Sequence, residues 1–292
     1  MDQAYGPGSA GFGILSVIVL AALLVWAGLA VWVARHRRVS DSVTRIRSWA
    51  TERLDSVVTP LARWLSVDVA AALALLSGAV VVAVLAAGFA ELLDNVIEGE
   101  VIDYVDQPVS EWVAAHRDLW LTETMKVLTH LGDASSLAVA VAILSAWVGW
   151  RTRSWLPAVL AVSGLVGVAM VMVAAKVTVG RTRPSSLIAV IVEDGFSFPS
   201  GHSTGSFAVA VLGAWMIGRW VLHTWAVQVA VWAIAVGAAA VVGFSRIYLG
   251  VHYISDVVAG AFLGIGWAVG VILVGAWWED SRRSADAAPP AG

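Results

Sequence analysis

Residues 155–184 read WLPAVLAVSGLVGVAMVMVAAKVTVGRTRP. The run at 155–178 is almost wholly apolar until Lys176, and a bilayer crossing takes about 20 mostly apolar residues. Lys176 stands at the end of the run, and Arg183 and Pro184 follow it in a short polar loop. A spanning helix that closes on cations decides how the rest of the chain is read. Apolar runs become transmembrane helices, and the polar motifs are what those helices carry at their ends.

Working outward, six further runs of this kind lie at roughly 11–34, 69–90, 134–150, 203–220, 225–244 and 254–278. The third has a short clean core, is preceded by Gly132 and Asp133, and has an alternative start near 124. The composition agrees. The 292 residues are 59% hydrophobic and 13% charged, against about 25% charged in soluble domains, and the mean hydropathy is +0.82. The fold class expected is an all-α integral membrane protein. The net charge of −3 gives no reason to expect a nucleic-acid partner. Cysteine is absent, which excludes disulfides, thiol catalysis and Cys-ligated zinc. Residues 1–10 hold Asp2 and no Lys or Arg, so the first run reads as a retained helix rather than a cleaved signal.

Arginines give the orientation. Arg35, Arg37, Arg38, Arg45, Arg47, Arg53, Arg63, Arg151, Arg153, Arg219, Arg282 and Arg283 all fall on one side if seven helices alternate, and that side is expected to be cytoplasmic. The stretch 91–120 carries Glu91, Asp94, Glu98, Glu100, Asp103, Asp106 and Glu111 on the other side, and reads as a solvated acidic surface. Trp147, Trp150, Trp155, Trp220, Trp225, Trp277 and Trp278 bracket the basic turns, as rings at headgroup level do. Residues 40–66 alternate arginines with apolar residues at near-helical spacing, which suggests an amphipathic helix on the inner interface. The expected organisation is 1–38 as an N-terminal transmembrane helix, 39–67 as the amphipathic segment, 68–278 as a six-helix domain and 279–292 as a disordered cytoplasmic tail.

Three polar motifs fall at helix ends on the side away from the arginine turns. They are Lys176-x6-Arg183-Pro184, Pro199-Ser200-Gly201-His202 and Ser245-Arg246-x5-His252-x3-Asp256. Ser200 suits an N-cap, and Gly201 permits close approach of a backbone N–H to an anion at a helix N-terminus. Taken alone, this tetrapeptide reads first as a plain capped turn. His252 and Asp256, four apart, share one helical face. The carboxylate would hold one ring nitrogen and leave the other as nucleophile or base, although a structural hydrogen bond fits the pair equally well. Lys176, Arg183 and Arg246 would surround a phosphoryl group. Arg181, inside the first motif but outside its fixed positions, reads as an interface residue, with a headgroup contact as the alternative.

The three motifs together resemble the signature K-x6-R-P, P-S-G-H, S-R-x5-H-x3-D of the type-2 phosphatidic acid phosphatase superfamily, which also includes vanadium haloperoxidases. All eleven specified positions are matched in order. The resemblance implies a six-helix bundle over about 68–278, with the first helix as an addition. It implies that His252 attacks phosphorus, that Asp256 orients it and that His202 protonates the leaving oxygen. Lys176, Arg183, Ser200, Gly201 and Arg246 would bind phosphate, and Pro184, Pro199 and Ser245 would shape the loops. It also implies Mg-independent chemistry, so neither metal nor cofactor is expected. The expected partners are the bilayer and a lipid phosphate. That substrate would be phosphatidic acid, phosphatidylglycerophosphate or an undecaprenyl-type diphosphate, cleaved at the outer face of a bacterial plasma membrane.

Three alternatives are carried forward. The same site could transfer phosphate or a phospho-headgroup to an acceptor other than water. A haloperoxidase fits poorly, because those members are soluble. A transporter fits poorly too, because its ionisable residues should lie near the midplane. Tyr104, Trp112 and Trp120, in the acidic stretch, fall on the same side as the three motifs, where they would cover the site.

Overall fold

The computed structural model describes residues 13–35, 45–46, 48–50, 52–65, 67–99 and 102–286. The named helices are α1 (Ile14–Arg35), α2 (Asp55–Leu65), α3 (Val69–Glu98), α4 (Gln107–Ala115), α5 (Leu119–Thr129), α6 (Ala134–Thr152), α7 (Leu156–Val179), α8 (Gly201–Trp220), α9 (Trp225–Tyr248) and α10 (Ile254–Asp286). A π-helical turn at Ile102–Asp106 precedes α4, and a 3-10 turn at His130–Gly132 joins α5 to α6. Helices satisfy their own backbone groups, which lipid cannot do. Six of the described helices are long and apolar enough to span a membrane: α1, α3, α6, α7, α9 and α10 as far as Arg282.

The run at 203–220, expected to be a seventh span, forms α8 but is not among those six. Its first turns carry Ser203, Thr204 and Ser206, all buried. This helix sits against α6, α7, α9 and α10 rather than against lipid, so it needs little apolar surface. Its contact with α10 is close. A Cβ on Gly260 would stand 2.8 Å from the Ser200 carbonyl oxygen, and one on Gly264 2.3 Å from that of Thr204. Small residues let helices approach in this way inside membranes. Here they bring the start of α8 beside the start of α10, where the Ser200 backbone N–H donates to the Asp256 carbonyl (3.0 Å).

Helix ends place the remaining groups. α7 ends at Gly180, whose φ of 64° supplies the left-handed cap. That stop directs Arg181 and Arg183 back over the bundle. The loop that follows is held by Arg117, whose Nε donates to the Tyr248 carbonyl (2.7 Å) and whose Nη1 donates to that of Ile188 (2.6 Å). Gly250, with φ of 74°, lies so close to Ile188 that a Cβ would come within 2.6 Å of its carbonyl oxygen. The α1 helix docks on α9 through Trp26 Nε1 to the Ala233 carbonyl (2.9 Å) and meets α5 where Ser16 Oγ donates to Asp118 (2.7 Å).

Several expectations change. The third run keeps its expected start at Ala134, and the alternative start near 124 falls in the separate helix α5. Of the amphipathic segment, α2 is seen as one helix. Residues 36–44, 47, 51 and 66 lie outside the described residues. The tail expected to be disordered from 279 continues α10 to Asp286, where Glu279 accepts from Arg219 (2.8 Å) and ties the helix to α8. Residues 287–292 lie outside the described residues.

Candidate functional site

The three motifs meet at one end of the bundle, at the ends of α7, α8 and α9 and the start of α10. His252 is buried between α9 and α10. Arg183 Nη1 donates to its Nε2 at 3.1 Å. A guanidinium has only donors, so this bond fixes the lone pair on Nε2 and the proton on Nδ1. Nδ1 faces Asp256 Oδ2 and Ser197 Oγ, each at 3.4 Å. Burial pushes the imidazole down to about 4, against the pull of Asp256. His252 is therefore neutral near pH 7, with its unprotonated nitrogen turned toward the cations.

Asp256 is fully buried and heavily bonded. It accepts from Ser197 Oγ (2.5 Å), the Tyr253 backbone N–H (2.8 Å) and Arg181 Nη1 (2.6 Å). Arg181 is thus no interface residue. It is buried over the Tyr253 ring (4.4 Å), and its other arm reaches Asp106 Oδ2 (2.6 Å). Asp106 also accepts from the Ser255 backbone N–H (3.0 Å) and hydroxyl (2.5 Å). The acidic stretch around Asp106 reads as a solvated surface, yet Asp106 is wholly buried. One arginine is shared by two buried carboxylates, and the donors of Ser197, Tyr253 and Ser255 satisfy their remaining oxygen lone pairs, which burial requires.

The cations Lys176, Arg183 and Arg246 all grip the short segment 193–197. Lys176 Nζ donates to the Phe196 carbonyl (2.5 Å). Arg183 donates to the carbonyls of Asp194 (2.9 Å) and Gly195 (3.1 Å). Arg246 pairs with the Glu193 carboxylate and with Thr129 Oγ1 (2.7 Å). The Arg246 side chain is 1% exposed, and its buried Nε has no hydrogen-bond partner. Burial tends to raise the pKa of Glu193, but the Arg246 bond and the charges of Arg246, His202 and Arg183 lower it overall. Burial and then the repulsion of Arg246 lower that of Arg183.

Ser200 N-caps α8 through its hydroxyl and is buried, so that oxygen is already engaged with the helix. Gly201 opens α8. A Cβ there would meet only Met172, at 3.6–3.7 Å, so packing gives no reason for glycine. His202 Nε2 bonds Asp133 Oδ1 at 2.9 Å, and Asp133 Oδ2 bonds His130 Nδ1 at 2.8 Å. Those two bonds outweigh burial and lower the Asp133 pKa. Ser245 is buried and donates to the Val242 carbonyl within its own helix (2.6 Å). Tyr104, Trp112 and Trp120 are exposed, and Trp112 stacks on His116.

The structure therefore brings together His252, His202, Asp256, Lys176, Arg183, Arg246, Ser200 and Gly201. Sequence reasoning missed Asp106, Asp133, Arg181, Glu193 and Ser197. Arg181 sat within the first motif and Ser197 two residues before the second, but neither spacing pointed to a partner.

An all-helical membrane bundle with two histidines and three cations at one end defines a class, and the comparisons name it. Residues 155–280 match the PAP2 superfamily. Over 178 residues the chain is 30% identical to phosphatidylglycerophosphatase B of Bacillus subtilis (strain 168), spanning 60% of this chain and 85% of that protein. It is 40% identical over 114 residues to the probable lipid phosphate phosphatase beta of Arabidopsis thaliana, spanning 31% of this chain and 52% of that protein. The crystal structure of a transmembrane PAP2-type phosphatidylglycerolphosphate phosphatase from Bacillus subtilis superposes with a TM-score of 0.61 at 28% identity, covering 65% of this chain and 94% of that one. The chain belongs to the PAP2 superfamily, and it is a multi-pass membrane phosphatase acting on lipids.

Proposed function

We propose that the chain hydrolyses a lipid phosphate or diphosphate through a phospho-histidine on His252. His252 Nε2 attacks phosphorus as the bond to the leaving oxygen breaks, and His202 gives that oxygen its proton. Water, deprotonated by His202, then attacks the phosphorus. The P–N bond breaks and orthophosphate leaves. Asp256 holds the Nδ1 proton and favours the imidazolium character that develops during attack. Lys176, Arg183, Arg246 and the α8 N-terminus at Gly201 neutralise the equatorial oxygens. Asp133 positions His202. The observation that carries this reading is the Arg183 bond to Nε2, which leaves the attacking nitrogen unprotonated and beside the cations. The unpartnered Arg246 Nε agrees with an anion bound there.

The arginine-rich turns lie at the opposite end of the bundle, which supports an extracytoplasmic site under the positive-inside rule. Candidate substrates are phosphatidic acid, phosphatidylglycerophosphate and an undecaprenyl-type diphosphate. The six-helix domain is proposed to run over 68–278. The test is phosphate release by purified full chain from each lipid in detergent micelles. His252→Ala should lower the rate by more than about 10³-fold. Failure to release phosphate from any of the three, or an undiminished His252→Ala rate, rules the proposal out. If the lipid loses phosphate without orthophosphate appearing, the reaction is transfer to another acceptor.

A further inference from the structure

A groove of about 1150 Å³ runs along the outside of the bundle, walled by α3 and α7 and floored by α10. Sites for drug-sized ligands run to about 1,000 Å³, so this one suits something larger. Its walls are apolar, with Leu85 and Phe89 on α3 and Val159 on α7. Its floor includes Gly270, where a Cβ would meet nothing within 4 Å.

The length of the groove excludes a single lipid. It follows α10 from Phe262 to Arg282, which at about 1.5 Å per residue is roughly 30 Å, the full hydrocarbon thickness. A phospholipid reaches across one leaflet only. The end at Phe89 adjoins the candidate catalytic site, since Phe89 packs on Phe198 with ring centroids 5.8 Å apart. The other end lies across the membrane. There Arg153, Ser154, Trp155, Trp278 and Arg282 line the groove. The Arg282 guanidinium sits 3.8 Å over the Trp278 ring. Glu279, about one turn earlier on α10, is engaged by Arg219 instead. Two cations, a hydroxyl and two amphipathic rings at the mouth of an apolar slot match an anionic phospholipid, with its phosphate at the arginines and its chains along the groove.

We infer that the half of the groove remote from His252 is a binding site for an anionic phospholipid of the opposite leaflet, held by Arg153 and Arg282. This lipid is bound and not turned over. The inference rests on the membrane-spanning bundle and not on the proposed hydrolysis, so either can fail alone.

The test is native mass spectrometry of the full chain released from detergent micelles, with dioleoyl phosphatidylglycerol or dioleoyl phosphatidylcholine added. The parent should retain the anionic lipid in preference to the zwitterionic one. Arg153→Ala/Arg282→Ala should lower retention of the anionic lipid by roughly thirtyfold and leave phosphatidylcholine retention unchanged, which also reports an intact groove. Arg153→Lys/Arg282→Lys should keep the preference. Gly270→Leu, which fills the slot, should lower retention of both lipids. Arg151→Ala, a cation of the same basic turn that does not line the groove, should retain the anionic lipid as the parent does. Equal retention of both lipids by the parent overturns the inference. So does an unaltered preference in the double alanine variant, or loss of the anionic lipid in Arg151→Ala.

Discussion

Asp133→Asn isolates the part played by His202. The amide keeps the shape of the side chain but removes the charge that faces His202 Nε2 at 2.9 Å. A hydrogen bond to a charged group is worth about 1.5–3 kcal/mol. The Asp133 side chain is 37% exposed, so solvent screening places the loss at the lower end, about 1.5–2 kcal/mol. Burial and then the Arg246 charge lower the His202 pKa while Asp133 raises it, so the amide leaves less of the protonated acid, a roughly 10- to 30-fold fall in kcat. The loss should depend on the leaving group. An alkoxide leaving from a glycerolipid needs the proton, whereas a nitrophenolate leaving from an aryl phosphate does not. Orthophosphate release is therefore to be measured for a lipid phosphate and for p-nitrophenyl phosphate, with parent and variant side by side. The expected result is a 10- to 30-fold loss on the lipid and little loss on the aryl ester. Equal losses on both substrates would show that Asp133 supports the fold or phosphate binding, and no loss on either would show that its bond to His202 is idle.

Gly201→Ala should fold at least as well as the parent, because alanine lowers the entropy of the unfolded chain and its methyl meets Met172 at ordinary distance. Its kcat/KM should nonetheless fall by about tenfold or more as the methyl obstructs anion approach to the α8 N-terminus. Unchanged kinetics would remove Gly201 from the phosphate cradle. Arg181→Met leaves buried Asp106 and Asp256 uncompensated and should cost about 3–5 kcal/mol of stability, read as a fall in the thermal midpoint in detergent. A midpoint equal to the parent's would contradict the clamp. His252, held down to about 4 by burial, is protonated in the unfolded chain before it is protonated in the folded one. The stability linked to that histidine is therefore fully present above about 6.5 and is lost as pH falls toward 4. The ¹⁵N resonances of His252, assigned with a His252→Gln variant, should still report a neutral ring at pH 5.5, and a titration centred near 6.5 would refute its buried, neutral state.

The bundle and the skeleton of its candidate site were legible because both are written in short-range pattern. Apolar runs of bilayer length declare helices without reference to one another. His252 and Asp256 share a face through i,i+4 geometry alone, and Ser200 caps the helix that begins at the next residue. The runs also ordered the motifs by side, which is why Lys176, Arg183, His202 and Arg246 were expected to meet. The run at 203–220 is less apolar than the others because that helix lies inside the bundle. The first turns of α8 are polar because other helices, not lipid, surround them.

Tertiary structure decided what each charge does. Asp106 and Asp94 look alike in an acidic stretch, yet only packing carries Asp106 to Arg181, 75 residues away, and to Ser255, 149 residues away. Asp133 appeared as an interruption before a helix, and it became the partner of His202 across a separation of 69 residues. Glu193 was not singled out, and the fold sets it against Arg246, 53 residues on. A buried charge must find its counter-charge, and local periodicity does not say which one. That choice waits on the close α8–α10 contact at Gly260 and Gly264 and on the loop that Gly180 turns back over the bundle.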